Sequence, residues 1–179
     1  MRSTAFERIG GEEVWRGRIA SVRVDRFRHD DGEEVSREVV GHPGAVSVLA
    51  HDGESVYLVS QPREPVGETL LELPAGKLDA EGEDALATAK RELAEEIGKG
   101  ARTWRHLTTF WMSPGYSDEQ MHLYLATDLY DETAESEENE RIEIHAVPLD
   151  SLDDAIAASR DSKTLVGLLW LRADMGTGS

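Results

Sequence analysis

The chain has 179 residues, 39% hydrophobic and 31% charged, which suits a single globular domain with a proper core and room for a short appendage. It has no cysteine, so disulfides, thiolate zinc sites, iron–sulfur clusters and cysteine nucleophiles are excluded. The formal net charge of −17 argues against electrostatic binding to nucleic acid or anionic lipid, and a phosphorylated substrate would need a cation between it and the protein.

The start of the chain, "MRSTAFERIGGEEVW", lacks the apolar core of a secretory signal, and no stretch approaches the length of a membrane span. A cytoplasmic location is the expectation. From Arg16 to His29, Ile19, Val22, Val24 and Phe27 alternate imperfectly with polar residues and predict a strand. "DDGEE" supplies a turn and "VSREVVGH" the returning strand. "GAVSVLAHDGESVYLVSQ" reads as a second hairpin, two β-branched runs about the Asp52-Gly53 turn. A short strand around Leu70 to Leu73 follows within a loop-rich run.

The period then changes. Leu86, Ala89, Leu93 and Ile97 recur at helical steps, predicting an amphipathic helix from Asp84 to Ile97. Glu83 and Asp84 are expected in its first turn, where the helix dipole favours negative charge, and Gly98 is its natural stop. "TWRHLTTFWM" and "MHLYLATDLY" predict two strands about the loop "SPGYSDEQ". The acidic stretch "DETAESEENE" precedes a strand in "RIEIHAV". "PLDSLDDAIAASR" and "SKTLVGLLWLRA" predict two closing helices, the first capped by Asp150 or Ser151. This order predicts an α+β domain over residues 44–179, preceded by a β appendage over 1–43.

Within the central helix, "RELAEEIG" places Glu92 and Glu96 together at the border of the apolar stripe, with Glu95 beside them. Like charges four apart repel by roughly 0.2–0.5 kcal/mol, and partial burial makes this worse. Such a cluster is either a solvated helix face or a holder of cations. Magnesium prefers carboxylate oxygens, keeps several waters and commonly bridges to phosphates.

The residues around the cluster bear on that choice. Gly76, Glu83, Arg91, Glu92, Leu93, Glu95, Glu96 and Gly98 follow the spacing of the Nudix hydrolase signature, and at this point the chain resembles that family. Two departures stand out. The loop "KLDAEG" is one residue longer than the family's spacer, and Lys99 occupies a position that is usually apolar. The extra residue precedes the helix and leaves the glutamate spacing untouched. The resemblance implies a Nudix α/β/α sandwich with a mixed sheet. It also implies metal ligation by Glu92, Glu95, Glu96 and the Ala75 carbonyl, with Glu83 and Arg91 orienting the cluster. The implied metal is Mg²⁺, with Mn²⁺ as a possible substitute.

Pro114 in "SPGYSDE", together with "REVVGHPGAV", "VSQPREPVG" and "LELPAG", resembles the ADP-ribose pyrophosphatase branch. That resemblance implies hydrolysis of the ADP-ribose diphosphate to AMP and ribose 5-phosphate by a homodimer that exchanges its N-terminal strands. Arg63 would grip the diphosphate or the terminal ribose, its alternative being an ion pair with Glu64 or Glu68. Ser113, Gly115 and Glu119 would meet the sugar, and Arg18, Ile19, Arg37 and Glu38 the adenosine half. Trp15 either stacks on adenine or belongs to the core or an interface. Glu138 matches the residue that activates water or binds a further metal, with Glu140 and Glu95 as substitutes. The alternatives are another nucleoside diphosphate sugar or nucleotide as substrate, or a nucleotide-sensing domain without catalysis. The six histidines show no zinc-binding spacing, and His106 and His122 read as structural.

Overall fold

A computed structural model of the protein describes residues 5–78, 83–134 and 142–177. It divides into two compact units, Met1–Gly44 with Trp111–Gln120, and Ala45–Phe110 with Met121–Ser179. The segment 111–120 thus belongs with the N-terminal strands, whereas the sequence reading places it in the second domain. Backbone bonds explain the association: the Val40 N–H donates to the Tyr116 carbonyl at 2.8 Å, and the Asp118 N–H to the Val40 carbonyl at 3.2 Å.

The N-terminal unit holds an antiparallel sheet of β1 (Phe6–Arg16), β2 (Ser21–His29) and β3 (Glu34–Gly41), in that order. β1 is not foreseen from the sequence, because register shifts after Arg8 and after Glu13 break any period-two pattern. Its buried anchor is Asp25 on β2, held by Arg8 at 2.7 Å and Arg23 at 2.8 Å. The hydrogen bond from Arg8 is the chief cause of its lowered carboxyl pKa.

The second unit is built on a mixed sheet. Its strands are β4 (Ala45–His51), β5 (Ser55–Arg63), β6 (Glu68–Glu72), β7 (Ala75–Lys77), β8 (Lys99–Trp111), β9 (Gln120–Asp131) and β10 (Glu143–Pro148). The order is β10-β5-β4-β9-β8, with β6 also on β5 and β7 also on β4. β4 runs parallel to β9 and antiparallel to β5 and β7. Helix α1 (Ala85–Ile97) covers one face; α2 (Leu152–Ala158) and α3 (Ser162–Thr177) cover the other.

Strand periodicity sorts the side chains between the two faces. Val46, Val48 and Ala50 of β4 pack with Tyr124 and Ala126 of β9 against Ala89, Leu93 and Ile97 of α1. Leu49, Val56, Leu58, Leu123 and Leu125 pack against Leu152, Leu168 and Leu171. Burial on both faces is why β4 is apolar at every position but Ser47 and His51. Each fully buried leucine contributes about 1.5–3 kcal/mol. The observed architecture is the expected α/β/α sandwich with a mixed sheet. Among the described residues no helix is long and apolar enough to cross a membrane.

The ends of α1 are fixed by sequence. Asp84 is the N-cap, accepting from the Ala87 N–H at 2.8 Å. Gly98 stops the helix with φ 66°, a left-handed geometry that favours glycine. The expected placement of Glu83 and Asp84 inside the first turn is corrected: the first turn carries no acid, and Glu83 lies before the cap. For α2, Ser151 holds the cap position without a side-chain capping bond, because a 3-10 turn over Leu149–Ser151 leads into the helix.

Candidate functional site

The burial of one face of α1 turns its carboxylates toward the short strand β7. Glu96 is 7% exposed and accepts from the Ala75 N–H at 3.1 Å. Arg91 lies among the other acids. Its Nη1 is 2.9 Å from Glu92 Oε1 and 2.7 Å from Glu95 Oε2, and its Nε is 3.2 Å from Glu83 Oε2. Glu83 also accepts from the Thr88 hydroxyl at 3.1 Å. Burial opposes the charge of Arg91, but the field of Glu92 and the hydrogen bonds to Glu83 and Glu95 outweigh it and raise its pKa. The repulsion expected among the glutamates is therefore relieved by one guanidinium, which holds Glu92 and Glu95 side by side. Glu83, though eight residues away in sequence, reaches the same guanidinium across two helical turns.

Gly76 is part of this geometry. A Cβ there would lie 1.9 Å from Glu92 Oε1, so the missing side chain makes room for the carboxylate. Among the described residues no three His, Asp or Glu side chains form a ready-made metal cage. The donor set nevertheless fits a hard divalent cation. All its donors are oxygens, Glu92 and Glu96 lie in a partly dry setting, and magnesium binds through one or two carboxylates completed by water and substrate phosphate. Glu95 and Glu96 also line a cleft of about 400 Å³ with Ile97, Glu132 and Ile144.

Arg63, at the end of β5, is paired, but with neither of the partners expected. It grips both oxygens of Glu72 through Nε at 2.8 Å and Nη2 at 2.6 Å, while Glu68 pairs with Arg160 at 2.9 Å. Lys163 and Asp161 complete this cluster. Sequence reasoning missed Glu72, Lys163 and Asp161. The available signal was Glu72 itself, a lone acid between Leu71 and Leu73 in an apolar run.

In the N-terminal unit, Arg37, Glu38 and Gly115 are brought together. They line a cleft of about 250 Å³ with Phe27, Pro114 and Tyr116. Arg18 and Ile19 lie in the exposed turn between β1 and β2, and neither lines that cleft. The Ser113 carbonyl accepts from the N–H groups of Tyr116 and Ser117, and Glu119 lies 3.7 Å from His42. Asp118, not foreseen, ties this loop down through Arg23 and the His42 N–H. Trp15 is 56% exposed and is not a core residue. Glu138 and Glu140 lie outside the described residues. His106 and His122 share the Thr109 hydroxyl, at 2.9 and 3.1 Å.

Comparison with known proteins bears on these observations. The NUDIX domain family matches residues 41–166. The chain is 36% identical over 177 residues to the ADP-ribose pyrophosphatase of Bacillus subtilis (strain 168), covering 96% of this chain and 95% of that one. It is 37% identical over 169 residues to the methanol dehydrogenase activator of Bacillus methanolicus, covering 92% and 91%. A solved structure described as an ADP compounds hydrolase shares the fold with a TM-score of 0.86 at 24% identity, over 98% of this chain and 97% of that one. With the signature residues gathered on α1 and beside β7, the chain belongs to the Nudix family.

Proposed function

We propose that this chain hydrolyses the diphosphate of ADP-ribose, giving AMP and ribose 5-phosphate. The observation that carries the reading is the complete set of signature carboxylates on α1, with Glu96 tied to the Ala75 backbone. The substrate assignment is supported by 36% identity, over nearly the full length of both chains, to an ADP-ribose pyrophosphatase. Water adds to one phosphorus, the bridging P–O bond breaks, and the proton lost by the water is taken up by a carboxylate or by solvent.

Glu92, Glu95, Glu96 and the Ala75 carbonyl would hold Mg²⁺, or Mn²⁺ in its place. When bound, the metal neutralises the diphosphate and lowers the pKa of the attacking water. The remaining roles belong to the chain itself. Arg91 holds Glu83, Glu92 and Glu95 in place through its guanidinium. Arg63 meets the diphosphate or terminal ribose with its planar fork. Glu95, or Glu138, takes the proton. Arg18, Ile19, Arg37 and Glu38 recognise adenosine, and Ser113, Gly115 and Glu119 the sugar. The functional unit is a cytoplasmic homodimer joined through its N-terminal strands.

The test is product analysis with Mg²⁺ on ADP-ribose, NADH, a UDP-sugar, a diadenosine polyphosphate and a dNTP, with EDTA as control. AMP and ribose 5-phosphate arising preferentially from ADP-ribose, and lost with EDTA, support the reading. Preference for another member refutes the substrate while keeping the chemistry. A second reading, action on a partner enzyme, rests on the 37% identity to the methanol dehydrogenase activator, and turnover of nothing in the panel would favour it.

A further inference from the structure

Lys163 stands in the first turn of α3, its side chain 7% exposed, and no signature residue touches it. Its ammonium meets Glu72 Oε2 and, at 2.9 Å, Asp161 Oδ2. Glu72 is itself almost fully buried, and the same Oε2 accepts from Arg63 Nη2 at 2.6 Å. The side-on pairing of Arg63 uses Nε and Nη2, leaving Nη1 outside the pair on a side chain that is 40% exposed. One buried carboxylate thus carries a lysine from α3 and an arginine from β5.

Adjacent bonds tie the same strand end to α3. The Leu73 N–H donates to the Thr164 hydroxyl at 2.8 Å, and that hydroxyl donates to Asp161 at 2.6 Å. Two residues further on, the Ala75 N–H meets Glu96. The segment between Glu72 and Ala75 is therefore held at one end by α3 and at the other by α1. Simple anchoring does not require charge here, since buried ion pairs can often be replaced by apolar groups at no loss of stability. A carboxylate with two cations does something further: it sets the orientation of a planar fork.

We propose that Lys163 is a positioning residue for the reaction, fixing Glu72 and through it the angle at which Arg63 meets the diphosphate. This rests on the pyrophosphohydrolase reading above. Lys163 acts only through Arg63, so its effect must disappear when Arg63 is gone.

The experiment is a double-mutant cycle of Lys163→Met and Arg63→Ala, with KM and kcat for ADP-ribose at saturating Mg²⁺ and Mn²⁺ affinity by calorimetry. Lys163→Met is expected to raise KM about tenfold with kcat within about twofold. Its Mn²⁺ affinity should match wild type, and Lys163→Arg should recover most of the loss. In the Arg63→Ala background, Lys163→Met should add nothing. Effects that multiply, or a parallel fall in kcat and Mn²⁺ affinity, would overturn the proposal while leaving the hydrolase reading intact. If Lys163→Met does not fold, Glu72→Gln takes its place in the cycle with the same expectations. A wild-type protein that does not split ADP-ribose overturns both.

Discussion

The second unit contains two clusters of carboxylates and cations, built on different charge balances. Around Arg91, one guanidinium serves Glu83, Glu92 and Glu95, with Glu96 close by on the same helix. Around Glu72, two cations, Arg63 and Lys163, meet two carboxylates, Glu72 and Asp161. The balanced cluster can be buried, because each charge is answered within it. In the other, among the described residues, one guanidinium serves three carboxylates at the edge of the core, a setting that a divalent cation and a diphosphate can use.

If the carboxylates on α1 serve a metal, losing one must cost activity before stability. Glu96→Gln is expected to lower turnover roughly a thousandfold, about 4 kcal/mol of barrier, while the melting temperature stays near wild type. Near-wild-type activity would remove Glu96 from the metal set. In the balanced cluster the consequence is reversed, with stability lost first. Glu72→Ala leaves two cations without their shared partner and should cost about 3 kcal/mol in urea denaturation, the low end for a buried pair because Arg63 is partly exposed.

That loss should also depend on pH. Burial pushes the Glu72 carboxyl up, but Arg63 and Lys163 outweigh it and hold it below the ordinary value of 4.5. A lowered folded-state pKa gives stability that is complete above the unfolded value and lost as pH falls through the folded one. The gap between wild type and Glu72→Ala should therefore shrink as pH falls below the ordinary carboxylate value of 4.5. A gap independent of pH would mean that the carboxylate charge is not what matters.

Mn²⁺ at about a hundred times its Kd should stabilise wild type by about 2.7 kcal/mol, and Glu96→Gln should lose most of that rise in melting temperature. Gly76→Ala should weaken metal binding about tenfold with little change in melting. The atom that its Cβ would meet is the end of the flexible Glu92 side chain, which can move aside at the expense of its own position. Asp84→Ala should cost about 1 kcal/mol through loss of the cap, with no change in metal affinity.

The legible parts of the chain share a physical property: their pattern is local. Leu86, Ala89, Leu93 and Ile97 declare α1, Gly98 ends it, and the spacing of Glu92 and Glu96 follows from helical geometry. The alternation on β4, β5 and β9 sorts residues to two faces with no knowledge of which strands pair. β1 was hidden because its bulges erase periodicity, and its pairing is made by backbone groups that carry no side-chain signal. The partner of Arg63 was hidden for another reason. Glu64 and Glu68 are near in sequence, but although β6 folds back on β5 with Arg63 opposite Glu68, it is Glu72, at the buried end of β6, that pairs with Arg63. Lys163, from the far end of the chain, was beyond any local rule.

The parallel pairing of β4 with β9 has a consequence for how the molecule comes into being. Ala45 lies opposite Met121, and every element that carries a proposed metal ligand is encoded between them. During synthesis β7 and α1 therefore emerge well before the strand that closes the sheet beneath them. Long-range parallel pairing is slow, and until β9 arrives Val46, Val48 and Leu93 have only part of their packing. A ribosome-bound chain stalled before Gln120 should be open to protease and unable to retain Mn²⁺, although it already carries every glutamate of the signature. The chemistry is thus withheld until the fold is nearly complete.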